Sequence, residues 1–158
     1  MSVARALPLL LLLGCDGGGS TCGPTSGHVA RVVDGDTIEL ASGEKIRYLL
    51  VDTPESTTEL ECYGENAKQF NSDLVLGKTV QLNFDVACTD MFGRTLAYVI
   101  VDGQEVNSLL VSRGYGCVLS IPPDGQSRLD EFKALQLDAM VNKRGLWGAC
   151  NPLPPACK

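Results

Sequence analysis

The chain has 158 residues, a length that suits one domain with a single hydrophobic core. Hydrophobic residues make up 44% of it and charged residues 20%, a balance that excludes an intrinsically disordered chain. The formal net charge of -6 counts against a protein that holds duplex DNA on a broad basic face, so nucleic-acid chemistry would require a local site.

The N-terminal segment is predicted to be an export signal. Arg5 precedes a largely apolar run over residues 6–13, which is too short to span a bilayer. The run leads into Leu-Leu-Gly-Cys, which is similar to the bacterial lipobox and would place a lipid on Cys15 after cleavage of residues 1–14. A plain secretory leader with an incidental cysteine is the alternative. Either way, we expect an exported protein, anchored at the cell envelope or secreted.

A glycine-rich polar stretch predicts a flexible tether over residues 15–27, ahead of a folded domain over 28–158. If Cys15 carries lipid, six of the seven cysteines remain, and an even number in an exported domain suggests three disulfides. A zinc site is discounted, because no Cys-x-x-Cys pair occurs and His28 is the only histidine.

Five short strands are predicted, separated by turn residues. An Asp-Gly-Asp turn at 34–36 separates the first two, and Pro54 cannot continue a central strand after the third. The strands cover residues 29–33, 37–40, 45–51, 79–84 and 96–101. The first three form an antiparallel meander, and five strands with interleaved helices indicate a small barrel.

Three helices are predicted from apolar residues at helical spacing, each followed by a glycine. The helices and these glycines are 65–76 with Gly77, 105–113 with Gly114, and 127–143 with Gly145. The apolar stripe of the third helix is assigned to the core; it consists of Leu129, Phe132, Leu135, Ala139 and Met140. The tail over 151–157 is predicted to be extended and pinned by Cys157.

The residue inventory restricts the chemistry that the chain could perform. A single histidine excludes both histidine-pair ribonuclease chemistry and Ser-His-Asp hydrolysis. Carboxylates and arginines remain, and several cluster at the ends of neighbouring predicted strands. They are Asp34, Asp36, Arg47, Asp52, Glu55, Asp90 and Arg94.

These residue types suit phosphodiester hydrolysis with a hard cation. Asp36, Asp52 and the backbone carbonyl of Thr53 could supply the oxygen ligands that Ca²⁺ prefers. Arg47 and Arg94 could pair with phosphate oxygens as negative charge builds up on them.

Glu55, beside a proline-stiffened turn, could orient or deprotonate the attacking water. Taken alone, each group has an ordinary structural explanation: an Asp-Gly-Asp turn is common, and Arg47 could be a structural arginine paired with a carboxylate. The functional interpretation depends on their occurring together.

Three segments carry a resemblance to a known family: Val-Asp-Gly-Asp-Thr at 33–37, Arg-Tyr-Leu-Leu-Val-Asp-Thr-Pro-Glu at 47–55, and Phe-Gly-Arg-Thr-Leu-Ala-Tyr at 92–98. With looser similarity over 29–147, the chain resembles the staphylococcal nuclease (thermonuclease) family. The resemblance implies an α+β OB-fold, a five-stranded antiparallel β-barrel with three α-helices. It also implies Ca²⁺-dependent cleavage of single-stranded or loosened DNA and of RNA, leaving 3′-phosphate ends.

The family's site residues carry over to six positions: Asp36, Asp52 and Thr53 for Ca²⁺, Arg47 and Arg94 for the phosphate, and Glu55 for activating water. Two departures affect nucleotide binding more than chemistry. Ser120 and Pro122 stand where family members commonly place tyrosines, and Met91 and Phe92 replace a lysine and a tyrosine. We therefore expect a higher KM.

Alignment with the family also implies a disulfide pairing, which the sequence by itself leaves open. The implied pairs are Cys62–Cys88, Cys117–Cys150 and Cys22–Cys157. The first bridge would stiffen a loop next to the site.

Two other classes of protein are weighed against the enzyme. A non-catalytic OB-fold module would bind single-stranded nucleic acid or peptide, but such modules lack the arginine and glutamate positions that Arg47, Glu55 and Arg94 retain here. A structural or Ca²⁺-binding envelope lipoprotein would leave both arginines unexplained. The expected partners are a single-stranded DNA or RNA substrate and a membrane reached through the lipid alone, and the expected state is a monomer.

Overall fold

The computed structural model describes residues 22–158. The predicted signal peptide over 1–14, the predicted lipid site Cys15 and most of the predicted tether lie outside the described residues. The described part is structured from its start, because Cys22 forms a disulfide and the first strand begins at Ser26. The predicted tether is therefore too long at its C-terminal end.

Five strands close into a barrel, as predicted. They are β1 (Ser26–Asp34), β2 (Thr37–Leu40), β3 (Lys45–Tyr48), β4 (Thr79–Asn83) and β5 (Thr95–Val101). β1 pairs with β2 and β4, while β5 closes the ring by pairing with β4 and β3. A two-residue strand, β6 (Gln104–Glu105), extends the edge of β5.

One strand pair departs from the antiparallel expectation. β3 and β5 run parallel, whereas the other four pairs of the barrel are antiparallel. A ring with an odd number of strands cannot alternate in direction all the way round, so a five-stranded barrel must contain a parallel pair. The fold remains the OB-type barrel that the sequence predicts.

Three helices pack around the barrel, with a fourth short one. They are α1 (Gly64–Val75), α2 (Val106–Ser112), α3 (Leu129–Val141) and α4 (Leu146–Ala149), with 3-10 turns at Gln126–Arg128 and Pro155–Cys157. α1 lies against β1, and α2 lies between β5 and α3. Phe132 and Ala139 of α3 are buried, which confirms its core stripe, although Met140 on the predicted stripe is 42% exposed. No helix within residues 22–158 is both long and apolar enough to cross a membrane.

The third strand ends earlier than predicted. Leu50 has a φ of 59°, which breaks the extended conformation, so β3 stops at Tyr48. The buried Asn107 supports this bend by donating to the carbonyls of Leu49 and Ala97 at 2.9 and 3.2 Å. The chain beyond the bend is thereby redirected, and Asp52 pairs with Cys117 in an isolated antiparallel bridge.

All three predicted disulfide pairs are wrong. The bridges join Cys22 to Cys88, Cys62 to Cys150 and Cys117 to Cys157, with Cα–Cα distances of 4.9, 5.9 and 5.4 Å. Two of the six cysteines, at 150 and 157, follow the last residue of the resemblance, so the family gave no guide to the course of the tail. The tail turns back after α4, which brings its cysteines to the segments before α1 and after α2. Cys157 does pin the tail, as predicted.

Candidate active site

The turn between β1 and β2 places two aspartates beside the segment that follows β3. The backbone N–H of Asp36 donates to Asp34 Oδ1 at 3.0 Å, which tightens the turn. Gly35 has no space for a side chain, since a Cβ there would lie 2.6 Å from Thr53 Oγ1 and 2.8 Å from Ala67 Cβ. A glycine at this position therefore lets the turn pack directly on Thr53.

Asp36 is the most connected carboxylate of the site. It is 5% exposed, and its Oδ2 accepts hydrogen bonds from the backbone N–H and the hydroxyl of Thr53 at 2.8 and 3.1 Å. Its Oδ1 accepts from the Thr37 hydroxyl at 3.1 Å. These bonds fix Asp36 against the segment that carries Asp52.

Arg47 on β3 is buried within the site and holds it together. Its Nη1 donates to the carbonyls of Tyr48 and Val51 at 3.0 and 2.6 Å and lies 3.3 Å from Asp36 Oδ1. Its Nη2 donates to Asp52 Oδ1 at 2.8 Å. The predicted structural role of Arg47 is therefore confirmed, because its guanidinium joins β3 to both aspartates.

Arg94 is held in a different way, by a turn just before β5. Asp90 Oδ1 accepts from the backbone N–H groups of Phe92 and Arg94 at 2.9 and 3.0 Å, and Asp90 Oδ2 accepts from Arg94 Nε at 2.7 Å. Burial raises the pKa of Asp90, but these bonds and the charge of Arg94 outweigh it, so the pKa lies below its ordinary value. Neither Nη group of Arg94 has a hydrogen-bond partner within residues 22–158, which leaves the outer edge of the guanidinium open.

Glu55 follows Pro54 and is exposed at the rim of the site. Its carboxylate accepts from the Thr57 hydroxyl at 3.0 Å. Its backbone is fastened to Glu61 twice, because the Glu55 N–H donates to Glu61 Oε2 and the Glu61 N–H donates to the Glu55 carbonyl, each at 3.0 Å. No role was predicted for Glu61, and Asp90 was predicted only as one of the clustered carboxylates, not as the residue that holds Arg94.

These groups surround a polar cavity of about 140 Å³. Its lining residues are Asp34, Asp36, Arg47, Asp52, Thr53, Pro54, Glu55 and Arg94. Burial, reinforced by the charge of Asp36, raises the pKa of Asp34 to about 7. Burial also raises the pKa of Asp52 to about 6, although Arg47 opposes the shift. Four carboxylates against two guanidiniums thus leave the cavity with an excess of negative charge that a bound cation would relieve.

The donors around the cavity fit a hard cation bound partly by main chain and water. No three His, Cys, Asp or Glu side chains within residues 22–158 are spaced to hold a metal by themselves. The predicted set differs from such a cluster, because it combines Asp36 and Asp52 with the backbone carbonyl of Thr53. Carboxylate, carbonyl and water oxygens together are a donor set that suits Ca²⁺.

Comparison with known proteins places this geometry in a family. The chain matches the family described as Staphylococcal nuclease homologue over residues 45–149. It is 36% identical over 139 residues to an uncharacterized endonuclease of Escherichia coli O157:H7, an alignment that covers 85% of this chain and 84% of that protein. The chain belongs to the staphylococcal nuclease family.

This staphylococcal nuclease family member covers different shares of the length of two further relatives. Endonuclease YncB of Bacillus subtilis (strain 168) is 39% identical over 124 residues, covering 74% of this chain and 59% of that protein. Thermonuclease of Staphylococcus intermedius is 32% identical over 125 residues, covering 75% and 74%. The chain therefore spans less than two thirds of YncB.

The fold of this staphylococcal nuclease family member brings all six predicted site residues to one cavity. Asp36 comes from the β1–β2 turn, Arg47 from β3, and Asp52, Thr53 and Glu55 from the segment after the Leu50 bend, while Arg94 comes from the turn before β5. Their roles in catalysis and metal binding stay predictions.

A second, apolar pocket of about 530 Å³ adjoins the cavity and shares Arg47, Asp52 and Arg94 with it. Met91, Phe92 and Pro122 line this pocket. They are three of the four positions at which this staphylococcal nuclease family member departs from the family pattern. Leu119 and Ile121 add further apolar surface to the lining of the pocket. Met91 and Phe92 are 89% and 74% exposed, so large apolar surfaces face solvent at the mouth of the pocket.

Proposed function

We propose that the protein is a Ca²⁺-dependent endonuclease that hydrolyses single-stranded or loosened DNA and RNA to 3′-phosphate products. The observation that carries the proposal is the joint placement of Arg47, Arg94 and Glu55 around one cavity with the aspartates. The printed names of the relatives, endonuclease and thermonuclease, agree with a nuclease. A module that only binds nucleic acid could use the open guanidinium edge of Arg94, but an exposed carboxylate such as Glu55 in the same cavity would repel the phosphate.

The two arginines would bind the scissile phosphate from different positions. Asp90 holds Arg94 through Nε, so both Nη groups can pair with phosphate oxygens in a forked arrangement. Arg47 is fixed by Asp52 and main-chain carbonyls, so its charge stays in place without reorganisation as negative charge builds on the phosphate.

Glu55 would act on the attacking water. Its carboxylate is exposed and accepts a hydrogen bond from Thr57, and the two hydrogen bonds to Glu61 fix its backbone. Water adds to phosphorus and gives up a proton towards Glu55, the bond from phosphorus to the 5′ oxygen breaks, and that oxygen takes up a proton. The products are a 3′-phosphate and a 5′-hydroxyl.

Asp36, Asp52 and the Thr53 carbonyl are the groups that would hold Ca²⁺. When bound, the ion would supply positive charge next to the phosphate oxygens. Burial, and after it the charges of neighbouring carboxylates, raises the pKa values of Asp34 and Asp52, and a bound cation would favour their ionised forms.

The apolar pocket supports a preference for unpaired substrates. Phe92, Leu119 and Ile121 could take up a base that has left its stack, whereas a base inside a duplex cannot reach them. Aliphatic side chains stack less well than aromatic rings, which agrees with the expected increase in KM.

The proposed function is tested by release of acid-soluble nucleotides from heat-denatured DNA and from RNA, using the oxidised chain with Ca²⁺ or with excess chelator. Activity should require Ca²⁺ and fall by at least about a hundredfold in Glu55→Gln. Glu59→Gln, an exposed glutamate of the same loop, is the matched control and should retain activity. Folded wild-type protein that releases nothing from either substrate in Ca²⁺ would instead favour the binding module.

We also propose that Cys15 carries lipid and holds a monomeric domain at the cell envelope. The Leu-Leu-Gly-Cys sequence supports this assignment. The wild type should partition into detergent and Cys15→Ser should not; partitioning of both forms would rule out the anchor.

A further inference from the structure

A third concave surface lies between α1 and α2, separate from the polar cavity and the apolar pocket. Its volume is about 460 Å³. We call it the aromatic groove and define it by Tyr63, Phe70, Tyr115, Arg113 and Arg144, all of which line it. The mechanism proposed above uses none of these residues.

Three aromatic rings form a continuous run in the groove. Phe70 and Tyr115 are stacked, with ring centroids 4.1 Å apart and planes inclined by 9°. Tyr63 lies 5.4 Å from Tyr115 with an inclination of 33°. All three side chains are half-buried, so they are fixed by packing yet still reach the surface.

The charge of the groove is opposite to that of the chain as a whole. The formal net charge is -6, but the charged side chains that line the groove are two arginines and no carboxylate. Arg144 Nη1 is bonded to the Ser112 carbonyl at 3.1 Å and paired with Asp138 at 2.5 Å. Arg113 is exposed and forms no ion pair or hydrogen bond through its side chain within the described residues 22–158. An arginine side chain without an ion-pair partner, next to aromatic rings, suits an anionic ligand that also carries planar aromatic groups.

Two glycines link the groove to the segment that lines the polar cavity. Gly64, which follows Tyr63, packs so closely on the Glu55 carbonyl that a Cβ would come within 2.2 Å of it. Gly116, which follows Tyr115, packs on the Asp52 carbonyl, 3.0 Å from where its Cβ would lie. Both tyrosines are therefore one residue from main-chain contacts to the segment that carries Asp52 and Glu55.

We infer that the aromatic groove is an accessory site for single-stranded nucleic acid, in which a base stacks on Tyr63, the ring at the end of the run, and a phosphate pairs with Arg113. The inference rests on the proposed function, because it extends the path of the same substrate beyond the scissile bond. Stacking on aromatic rings with arginines along the backbone is the usual means of binding single strands without regard to sequence. An acidic peptide would use the charge of Arg113 but not the flat faces of the rings.

The test measures binding of a fluorescein-labelled oligodeoxythymidylate to the full oxidised chain by anisotropy, in chelator so that no hydrolysis occurs. Arg113→Glu and Tyr63→Leu should each weaken binding by about tenfold. Arg113→Glu should also reduce the slope of log affinity against log salt by about 0.7 for the lost phosphate contact. Lys133→Glu, which makes the same charge change at an exposed lysine of α3, is the control and should bind like the wild type.

Hydrolysis provides the second measurement. The loss of kcat/KM in the groove variants should be larger on a long oligonucleotide than on a dinucleotide, which cannot span both sites. Wild-type affinity in Arg113→Glu, a loss equal to that of Lys133→Glu, or equal losses on both substrates would overturn the accessory site. Tight binding of an acidic peptide with no binding of the oligonucleotide would also overturn it. Wild-type protein that binds through the groove yet hydrolyses nothing would refute the proposed function alone.

Discussion

At the scale of single residues, the two arginines of the site differ in what they hold. Arg47 is 8% exposed, and it is bonded both to the segment after β3 and to Asp36 in the β1–β2 turn. Within the described residues, Arg94 is bonded only to the turn at Asp90, and the outer edge of its guanidinium is free. One side chain therefore contributes to folding and to the site together, and the other to the site alone.

This difference can be measured by replacing each arginine with lysine, which keeps the charge but removes the fork. Arg47→Lys should lower the free energy of unfolding by about 3 kcal/mol, because it leaves buried acceptors and a carboxylate poorly paired. Arg94→Lys should lower kcat/KM by about a hundredfold. Its loss of stability should stay below about 1 kcal/mol. Urea unfolding and nuclease assays on both variants test whether Arg47 acts mainly on stability and Arg94 mainly on activity. Equal losses of stability in the two variants would contradict this difference.

Glu61 is expected to act as a positioning residue for Glu55. Glu61→Ala removes the acceptor for the Glu55 N–H, so the carboxylate should be less well oriented and kcat should fall by about tenfold with little change in KM. Glu59→Ala in the same loop is the control. Steady-state kinetics that show a change in KM alone would place Glu61 in substrate binding instead.

Asp90 should give the protein a pH-dependent share of its stability. Its pKa is lowered in the folded state, so its contribution is complete above the unfolded pKa of about 4 and is lost as pH falls through the lower folded value. Asp90→Asn should therefore lower the free energy of unfolding at neutral pH by about 2 kcal/mol. The difference from wild type should shrink in acid. Denaturation curves at several pH values test this, and a difference that grows in acid would contradict it.

At the scale of elements, the sequence predicted what depends on neighbouring residues. The strands and helices were found because their apolar periodicity and turn residues are local signals, and the Arg47 to Glu55 motif located most of the site. The end of β3 was missed, because a bend at Leu50 with positive φ is supported by the distant Asn107. Glu61 was missed as a supporting residue because its bond to the Glu55 N–H depends on how the loop between them folds. The bonds of Asp90 to Phe92 and Arg94 span only two and four residues, so the Asp-Met-Phe-Gly-Arg turn was a local signal that could have predicted them.

The disulfides join elements that no local pattern relates. Cys62 adjoins Glu61 and is bridged to Cys150, so this bond fastens the Glu55 loop, whereas Cys88 lies between Ala87 and Thr89, which line the apolar pocket. Pairing by family resemblance failed because it placed the tail on the wrong partners. The true pairing predicts different kinetic effects for two of the bridges.

These kinetic effects are tested by removing the two bridges one at a time, each by a double Cys→Ala substitution. Without Cys62–Cys150, kcat should fall, since Glu55 loses its support; without Cys22–Cys88, KM should rise, since the pocket wall is loosened. Each double variant should also lose about 4 kcal/mol of unfolding free energy, as expected for long closed loops. Assays are made at a temperature where circular dichroism shows both variants folded. The same kinetic change in both would show that the bridges act only on global stability.

At the scale of the whole molecule, the three surfaces described above would divide a substrate between them under the proposed function. The polar cavity would take the scissile phosphate, the apolar pocket one displaced base, and the aromatic groove the strand beyond. An acidic chain could act on nucleic acid in this way, because the attraction would be confined to a few arginines at these surfaces.

The order of the three disulfides along the chain has a consequence for proteolysis. The bridges span 22–88, 62–150 and 117–157, so each overlaps the next, and every peptide bond between Cys22 and Cys157 lies inside at least one of them. A protease that nicks any single exposed loop therefore releases no fragment. The nicked protein should run as one species on a non-reducing gel and separate into two pieces only when thiol is added.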